Sequence, residues 1–324
     1  MLHDRQGRSF PYLRLSVTDV CNFQCSYCLP NGYQGKHQQS FLSVAEIRRL
    51  VAAFAALGMW KIRITGGEPA VRRDLPEIIA IVATTPGVER IAITTNGWRL
   101  PQLIGRWHQA GLNALHVSIH SLDPRQFQAI TGHDGLHEAV TGIDKALELG
   151  IEKVKVNAVL LKELNHRQLE AFLAWIKDKP ITLRFIELMQ TGENLAYFNE
   201  HHVRAEYIIH QLQEKGWEEL ARLPGAGPAR EFTHASSLGR IGIIAPYAKD
   251  FCHTCNRLRV TSMGDLRLCL FGDAGASLRD LLQADEQQSA LMERIRTQLG
   301  FKKDQHFLHQ GNTGATPHLA SCGG

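Results

Sequence analysis

The stretch YLRLSVTDVCNFQCSYC, residues 12–28, places an apolar run directly before three closely spaced cysteines. The run from Tyr12 to Val17 has the composition of a buried strand. Cys21, Cys25 and Cys28 follow at C-x3-C-x2-C spacing, and a loop of that length can wrap three soft ligands around one centre. Thiolates select iron–sulfur clusters, zinc or copper(I). The stretch therefore predicts a strand that ends in a metal-binding loop.

Three protein ligands leave one iron of a four-iron cluster free for a substrate or cofactor. Zinc is a rival for the same spacing. A third alternative, three buried structural cysteines, is disfavoured because free cysteines are scarce and this triplet lies in a loop.

Downstream of this loop, short β-rich runs alternate with segments of helical periodicity, an order typical of parallel βα units. Ser43 and Glu46 form a capping-box motif that opens a helix through Leu57. The predicted strands are Tyr12 to Val17, Lys61 to Thr65, Arg90 to Thr94, Ala114 to Ile119, Lys153 to Leu160 and Ile181 to Glu187. The other predicted helices are Leu75 to Thr84, Gln102 to Ala110, Glu138 to Leu149 and Leu169 to Lys177. Six strands are too few for a closed eight-stranded barrel, so we expect an incomplete, laterally open (β/α)6 TIM-type barrel.

Polar and glycine-rich segments follow the predicted strands. They are the first cysteine triplet, Gly66 to Pro69, Thr94 to Gly97, and Ser118 to Ser121. In a βα barrel the loops at the carboxyl ends of the strands converge on one site, so these segments are expected to lie together.

The pattern becomes irregular after Gly216, where Pro224 to Pro228 is typical of a turn-rich linker. We therefore expect a barrel with the first triplet in residues 1–215 and a smaller, loop-rich region in residues 216–324. This second region contains Cys252 and Cys255 at C-x2-C spacing, with Cys269 after thirteen intervening residues. Taken alone, the pattern fits zinc and an iron–sulfur cluster equally well, and His253 is a candidate fourth ligand.

Composition narrows the class of protein. The chain has 324 residues, of which 44% are hydrophobic and 21% charged, and a formal net charge of +4. Its longest apolar stretch, Val51 to Trp60, is about half of the roughly 20 residues that cross a bilayer. The start of the sequence lacks a signal-peptide core, and there is no run of five basic residues. We expect a cytoplasmic globular protein with reduced thiols that binds neither membranes nor nucleic acid.

Arg14, Arg63, Lys155 and Arg184 lie within predicted strands, where alternation with period two can aim all four into the barrel. Inward cations are costly without an anion, so an anionic ligand is expected. The alternative is that these side chains reach the surface or pair with Glu68, Glu187 or Asp19.

The spacing C-x3-C-x-aromatic-C, followed one βα unit later by Gly66-Gly67-Glu68-Pro69, resembles the radical S-adenosylmethionine (radical SAM) superfamily. The resemblance implies that a [4Fe-4S] cluster on the first triplet binds the methionyl group of S-adenosylmethionine through its open iron. It also implies that Tyr27 lies against the adenine and that Gly67 lies beside the methionyl amino group.

A longer set of motifs resembles one family within it, the GTP 3′,8-cyclases of molybdenum cofactor biosynthesis. The motifs are L-R-L-S-V-T-D, I-R-I-T-G-G-E-P, T-T-N-G, L-R-F-I-E-L-M, C-x2-C-N-R-L-R with its later cysteine, and the terminal Gly-Gly. The resemblance implies that a 5′-deoxyadenosyl radical removes the C3′ hydrogen of GTP, whose guanine is held by a second [4Fe-4S] cluster on Cys252, Cys255 and Cys269.

Site residues follow from the same resemblance. It assigns Arg14, Arg63, Thr94, Lys155, Arg257, Leu258 and Arg259 to GTP, and Ser118 and Met189 to S-adenosylmethionine. Arg184 is a further candidate in the substrate cavity, and Gly323 and Gly324 are expected to enter the active site. The implied partners are a flavodoxin or ferredoxin as electron donor and the downstream cyclic pyranopterin monophosphate synthase; a homodimer is compatible with the family.

Three positions depart from the family pattern. Val20 replaces an arginine, His120 replaces an aspartate, and Cys322 lies where an aromatic residue is usual. Two other interpretations of the chain stay open: a different radical SAM enzyme with an auxiliary cluster, such as a peptide-modifying enzyme, and a zinc-binding regulatory module.

Overall fold

The computed structural model describes residues 1–35, 41–223 and 225–322, the last two without their side chains. Strands and helices alternate through the first part of the chain, as expected for βα units. The order is β1 (Tyr12–Ser16), α1 (Val44–Ala56), β2 (Lys61–Thr65), α2 (Leu75–Thr84), β3 (Arg90–Thr95), α3 (Leu100–Gln109), β4 (Ala114–Ser118), α4 (Pro124–Thr131), α5 (Leu136–Glu148), β5 (Lys153–Leu160), α6 (Leu169–Ile176) and β6 (Thr182–Glu187). The six predicted strands are thus confirmed, two with their predicted ends and four with one end shifted by a single residue.

The rest of the chain contains further helices and strands. They are α7 (Leu195–His201), α8 (Glu206–Glu214), β7 (Glu218–Glu219), β8 (Arg230–Thr233), β9 (Arg240–Ile244), β10 (Arg257–Val260), β11 (Asp265–Arg267), β12 (Ala276–Ser277) and α9 (Gln288–Leu299). None of the helices in the described ranges has the length and apolarity needed to span a bilayer.

All strands of the described chain form one 12-stranded sheet in the order β12-β11-β10-β1-β2-β3-β4-β5-β6-β9-β8-β7. Strands β1 to β6 are parallel, and each pairs with the next in sequence. The later part of the chain then extends both edges, since β10 pairs parallel with β1 and β9 pairs parallel with β6. The ends of this order, β12 and β7, do not pair with each other among the described residues. The fold is therefore the expected incomplete barrel with an open sheet.

Helix α1 shows how local sequence and packing agree. The Ser43 hydroxyl accepts a hydrogen bond from the Glu46 amide at 3.2 Å, and the Glu46 carboxylate accepts one from the Ser43 amide at 2.8 Å. This capping box satisfies amides that the first helical turn leaves without partners. Ile47, Leu50 and Phe54 are fully buried in the apolar core. Arg279 pairs with Glu46 at 2.9 Å, which joins the helix to the C-terminal part of the chain.

Helix α4 was not predicted, although its sequence carries end signals. The Asp123 carboxylate accepts a hydrogen bond from the Gln126 amide at 2.8 Å, Pro124 occupies the first helical position, and Gly132 ends the helix at a φ of 69°. These are favoured residues at an N-cap, a first turn and a C-terminal cap. The helix is only eight residues long, about two turns, so the sequence offers few repeats from which its apolar face could be recognised.

Candidate active site

The inner face of the barrel is lined by cations from neighbouring strands. Arg14 on β1 lies in register with Arg63 on β2 and with Arg259 on β10. Two positions earlier, on the same face of β1, Tyr12 lies in register with Lys61 and Arg257. His116 on β4 is opposite Lys155 on β5, and Arg184 on β6 is opposite Asn157. The predicted inward cations Arg14, Arg63, Lys155 and Arg184 therefore share a single wall with others that the sequence analysis did not select.

Tyr12 lies in the middle of these cations. The Lys61 ammonium lies 4.8 Å from the centre of its ring, and the Arg63 guanidinium lies 5.3 Å from it. Burial, the largest single effect, raises the pKa of the Tyr12 phenol, but Arg63, Arg14, Arg257 and Arg184 together bring that pKa below its usual value. A phenol surrounded by four arginines indicates a strongly positive cavity.

Burial and mutual repulsion make this cavity costly for cations. Arg14, Arg63 and Arg184 are 8%, 7% and 5% exposed. Burial, reinforced by Arg63, lowers the pKa of Arg184 to about 9. Burial followed by Arg63 and Lys155 lowers the pKa of Lys61 to about 7. A bound anion would stabilise the protonated, charged forms of these side chains.

Several buried polar atoms of this wall lack hydrogen-bond partners within the described part of the chain. They are Tyr12 Oη, Arg63 Nε, Thr94 Oγ1, Asn157 Oδ1 and Arg184 Nε. Buried polar groups in folded proteins almost always have partners, so a set without them indicates the place of a polar ligand. Their mixture of cationic donors, hydroxyls and an amide oxygen suits a ligand that has both anionic and neutral polar groups.

The acidic residues considered as partners for the cations bind elsewhere. Glu187 faces His202 at 2.9 Å, and Asp19 accepts a hydrogen bond from Ser262 at 2.8 Å. Lys155 does pair with a carboxylate, that of Glu231 at 2.9 Å. Its pKa is nevertheless lowered to about 8, because burial and Arg184 outweigh Glu231.

His116 lies between two of the arginines. Its Nε2 atom is 3.3 Å from Arg63 Nη2, and its Nδ1 atom contacts Arg184 Nη2. Burial, followed by Arg63 and Arg184, lowers the pKa of His116 well below its usual value. A neutral imidazole accepts at one nitrogen only, so at most one of the two arginines has an acceptor here. This leaves further guanidinium donors for a ligand.

The first cysteine triplet begins five residues after β1, at the end of the barrel where the parallel strands finish. Burial raises the pKa of Cys21 to about 11 and that of Cys28 to about 12. The pKa of Cys25 rises well above its usual value through burial and the nearby sulfurs of Cys28 and Cys21. Three converging, desolvated thiols fit the donor set of an iron–sulfur cluster, whose positive iron would stabilise them as thiolates.

Gly66 and Gly67 pack directly against the segment that leads into this triplet. The Gly67 amide donates to Thr18 O at 2.8 Å, and the Glu68 amide donates to Val20 O at 2.8 Å. A Cβ at Gly67 would lie 2.4 Å from the carbonyl oxygen of Val20, which no real contact permits. The glycines therefore allow two backbone segments to meet at the open end of the barrel.

Glu68 joins this segment to the loop after β3. Its carboxylate accepts hydrogen bonds from Thr95 Oγ1 at 2.8 Å and from the Asn96 amide at 2.6 Å. The Asn96 side chain donates to Asn22 Oδ1 in the first cysteine loop at 3.0 Å. Burial raises the pKa of Glu68 to about 7 against these hydrogen bonds. The expected convergence of the loops that follow β1, β2 and β3 is thus present in the structure.

The predicted cofactor residues lie around the same end. Ser118 is the last residue of β4, and Gly67 follows β2. The Asn194 side chain donates to the carbonyl oxygens of Met189, at 3.1 Å, and Tyr27, at 3.5 Å. Asn194 was not selected from the sequence, because it lies in the loop between β6 and α7 without a motif around it.

The second triplet lies at the opposite end of the barrel, just before β10. Burial raises the pKa of Cys255, but Lys302 and Arg257 bring it down to about 7. The His306 amide donates to the sulfur of Cys252 at 3.4 Å. A cavity of about 360 Å³ opens beside Cys255 and is lined by Arg8, Arg222 and Asn256 among others. A thiolate stabilised by neighbouring cations fits metal ligation.

Three details qualify the expectations for the second triplet. His253 is a mostly exposed side chain that faces Asp250 at 3.5 Å. Leu258 is fully buried in the apolar core, whereas the flanking Arg257 and Arg259 lie near Arg14 on β1. Among the described residues, no three His, Cys, Asp or Glu side chains are grouped so that they could hold a single metal ion.

The C-terminal segment reaches the first triplet. The Gly192 amide donates to Thr316 O at 3.0 Å, and the Glu193 amide donates to Pro317 O at 3.1 Å. Backbone groups of Ala320 and Leu319 lower the pKa of Cys28 by hydrogen bonding, against the larger effect of burial. Gly323 and Gly324 lie outside the described residues, as does the side chain of Cys322.

Comparison with protein families gives two matches that together cover most of the chain. The family described as the Radical SAM superfamily matches residues 15–176, which include the end of β1, the first triplet and β2 to β5. The family described as Molybdenum Cofactor Synthesis C matches residues 181–308, which include the second triplet and β6 to β12.

Curated relatives match over almost the whole length. The GTP 3′,8-cyclase of Stenotrophomonas maltophilia (strain R551-3) is 59% identical over 323 residues, which are 100% of this chain and 99% of the relative. The GTP 3′,8-cyclase of Vibrio cholerae serotype O1 (strain ATCC 39541 / Classical Ogawa 395 / O395) is 57% identical over 323 residues, with 99% and 97% covered.

A solved structure supports the fold independently. Streptococcus suis SuiB, crystallised with S-adenosylmethionine, superposes with a TM-score of 0.64 over 95% of this chain and 75% of SuiB. The sequence identity is 14%, so this likeness concerns the open α/β barrel alone.

Proposed function

Because this chain belongs to the radical SAM superfamily and, within it, to the GTP 3′,8-cyclases, we propose that its cationic barrel interior holds GTP for cyclisation. The enzyme converts GTP to (8S)-3′,8-cyclo-7,8-dihydroguanosine 5′-triphosphate in the first step of molybdenum cofactor biosynthesis. In the proposed reaction a 5′-deoxyadenosyl radical removes the C3′ hydrogen, and C3′ then bonds to C8 of the guanine.

The observation that carries this proposal is a buried cationic wall that runs between the two thiol triplets. GTP has a triphosphate for the cations and ribose and guanine groups for the neutral donors and acceptors. Tyr12 Oη, Asn157 Oδ1 and Arg63 Nε are buried there without partners among the described residues. A ligand with these groups would both neutralise the wall and satisfy its hydrogen bonds.

At the first triplet, Cys21, Cys25 and Cys28 would hold a [4Fe-4S] cluster that, when bound and reduced, supplies the electron for cleavage of S-adenosylmethionine. The S-adenosylmethionine molecule would contact Tyr27, Gly67, Ser118 and Met189. These residues lie around one end of the barrel, where Asn194 holds the carbonyl groups of Tyr27 and Met189 together.

GTP would extend from this end toward the second triplet. Arg14, Arg63, Lys155, Arg257 and Arg259 would bind anionic oxygens, and Thr94 would offer its hydroxyl, for which the described residues provide no partner. Leu258 would contribute only main-chain atoms, because its side chain is buried in the core. To the residues predicted from the sequence we add Lys61, which lies two positions before Arg63 on the same face of β2.

Cys252, Cys255 and Cys269 would hold another [4Fe-4S] cluster, which would supply a binding site for the guanine. The position of the triplet beside Arg257, at the end of the barrel opposite the first triplet, supports this role. Metal analysis of the purified protein distinguishes the cluster from a zinc ion. Anaerobically reconstituted protein is expected to contain roughly eight irons per chain. A content of four irons and one zinc would instead favour zinc at Cys252, Cys255 and Cys269.

The domain organisation, the cellular location and the partners of this chain are also proposals. Residues 1–215 and 216–324 would form the radical SAM barrel and the second-cluster region of a cytoplasmic enzyme. The electron donor would be a flavodoxin or ferredoxin, and the product would pass to cyclic pyranopterin monophosphate synthase. A homodimer is compatible with the family, and sedimentation analysis would distinguish it from a monomer.

The function is tested by incubating reconstituted protein with GTP, S-adenosylmethionine and dithionite without oxygen. We expect 5′-deoxyadenosine and cyclised nucleotide in about equal amounts. Cys25→Ser should abolish both products, whereas Cys255→Ser should retain formation of 5′-deoxyadenosine and lose cyclisation. If the wild type cleaves S-adenosylmethionine but never forms a GTP-derived product, the chain is a different radical SAM enzyme with an auxiliary cluster.

A further inference from the structure

The N-terminal residues 2–10 fold into a short hairpin that lies beside the second cysteine triplet. The hairpin is closed by one antiparallel bridge and by the Phe10 amide, which donates to Leu2 O at 3.0 Å. The side chains of Leu2 and Phe10 are buried in the apolar core. The hairpin is therefore anchored to the barrel, and it presents the guanidinium of Arg8 to the loop of Cys252.

Asp4 orients the guanidinium of Arg8. Arg8 Nε donates to Asp4 Oδ2 at 2.7 Å, and the Arg8 amide donates to Asp4 Oδ1 at 3.0 Å. The carboxylate is fully buried, and the side chain of Arg8 is only 8% exposed. A charged pair of this kind fixes the plane of the guanidinium and leaves its other N–H groups for further acceptors.

Those N–H groups bind carbonyl oxygens from two segments of the C-terminal region. Arg8 Nη1 donates to Cys252 O at 3.0 Å and to Asp304 O at 2.7 Å. Arg8 Nη2 donates to Lys303 O at 2.8 Å. The guanidinium therefore links the loop of Cys252 to the chain that follows α9.

The contact between these two segments extends to the sulfur of Cys252. The His306 amide, two residues after Asp304, donates to Cys252 Sγ at 3.4 Å. The centre of the His306 ring lies 5.9 Å from that of Phe251. The sulfur keeps this donor only while the two segments stay together, so its position depends on the link that Arg8 provides.

The hydrogen bonds of Arg8 indicate a structural link and not a substrate contact. Gln6 Oε1 accepts the remaining N–H of the guanidinium, from Nη2 at 3.4 Å. All five N–H groups therefore have acceptors within the protein. Arg63 differs, since its buried Nε has no partner in the described part of the chain. Arg8 lines the cavity beside Cys255, but its donors are already used.

We propose that Arg8 is a positioning residue for the second metal site, where it holds the loop of Cys252 against residues 303–306 and so presents this thiolate to the metal. The proposal rests on the proposed function, since it requires a metal bound by Cys252, Cys255 and Cys269. It goes beyond that function by giving the N-terminal hairpin a part in a site whose first ligand lies 244 residues further along the chain.

The test compares Arg8→Gln with Arg5→Gln in full-length, anaerobically reconstituted protein. Arg5 belongs to the same hairpin and is exposed, so its substitution is the matched control. Loss of a partner that holds a metal ligand typically weakens metal binding by about 10- to 100-fold. We expect Arg8→Gln to lose the metal of the second site to a chelator much more readily than the wild type, and Arg5→Gln to match the wild type.

Metal analysis after exposure to the chelator is combined with electron paramagnetic resonance, which identifies the first cluster by the signal that changes when S-adenosylmethionine binds. This signal should be retained in Arg8→Gln. Arg8→Lys keeps the positive charge but lacks the planar fork, so it should restore only part of the metal retention.

Wild-type metal retention in Arg8→Gln would overturn the inference, as would an equal loss of metal from both sites, which would indicate general destabilisation of the fold. Either result would leave the proposed function intact, because the wild type would still hold both clusters. A zinc ion at the second site that Arg8→Gln loses more readily would support the inference and overturn only the second cluster. Wild-type protein that binds no metal at the second triplet would overturn both.

Discussion

At the scale of single residues, the chemistry of the barrel depends on cations that have few acidic partners. Arg184 is 5% exposed, contacts His116, and has a buried Nε without a partner in the described part of the chain. Its neighbours are mostly other cations, so its charge is compensated mainly when an anion is bound.

The first prediction concerns this arginine. Arg184→Gln should weaken GTP binding by about tenfold or more, since a hydrogen bond to a charged group contributes about 1.5–3 kcal/mol. Binding of S-adenosylmethionine should be unaffected. Affinities are measured by anaerobic titration calorimetry, with Arg230→Gln as the matched control, because Arg230 forms an exposed pair with Glu219. Equal GTP affinities in the two variants would remove Arg184 from the substrate site.

Lys61 gives a prediction about pH. Burial, then repulsion from Arg63 and Lys155, lowers its pKa from 10.5 to about 7, so between these values the folded protein holds fewer protons than the unfolded chain. The stability of the free protein should accordingly rise with pH across this window. A bound triphosphate raises the pKa of Lys61 again, so GTP binding at pH 8 should take up protons.

Proton uptake is measured as the dependence of the binding heat on the ionisation enthalpy of the buffer. Lys61→Met should reduce it. Heats that are independent of the buffer in both proteins would contradict the placement of Lys61 beside the triphosphate.

At the scale of elements, the open end of the barrel is built by loops that touch through their backbones. Gly67 is the tightest of these contacts, since a Cβ would lie 2.4 Å from Val20 O. Gly67→Ala should therefore displace the segment before Cys21 and reduce the iron content by about half, from roughly eight to roughly four per chain. Unfolding should become easier by about 2 kcal/mol.

The control is Gly105→Ala on α3, where an added Cβ meets nothing within 4 Å. This change should stabilise the helix by roughly 0.5–1 kcal/mol and leave the iron content unchanged. Iron analysis and thermal unfolding of both variants check the prediction. A full complement of iron in Gly67→Ala would mean that the loop before Cys21 tolerates displacement.

At the scale of the whole molecule, the C-terminal segment returns to the first triplet, with Thr316 and Pro317 hydrogen-bonded to Gly192 and Glu193. Deleting Gly323 and Gly324 should leave both clusters and GTP binding intact but lower the yield of cyclised nucleotide per 5′-deoxyadenosine. Glycines have no side chain, so such a tail can enter a narrow cavity. Adding the peptide of residues 321–324 should restore part of the coupling. Unchanged coupling in the truncated protein would show that the two residues are dispensable.

The parts of this molecule that sequence reasoning predicted are those with local signals. The strands β1 to β6 have apolar runs bounded by turn residues, and the first triplet has a spacing that few other sites share. Lys61 and His116 were not predicted as site residues, because the local sequence does not show which face of a strand a cation or an imidazole occupies. The pairing of β9 with β6 and of β10 with β1 was not predicted, because each depends on contacts between residues far apart in sequence.

The pairing of β10 with β1, strands far apart in sequence, has a consequence for folding during translation. Leu13 pairs with Leu258, and β6 pairs with β9 only after a long excursion through α7 and α8. During translation, at about 5–20 residues per second, β1 has no neighbour on one side for roughly 12–50 seconds. An exposed strand edge invites pairing with other chains. A nascent chain arrested after residue 215 should therefore depend on chaperones for solubility, and the two cysteine triplets can face each other across a finished barrel only after synthesis has passed residue 269.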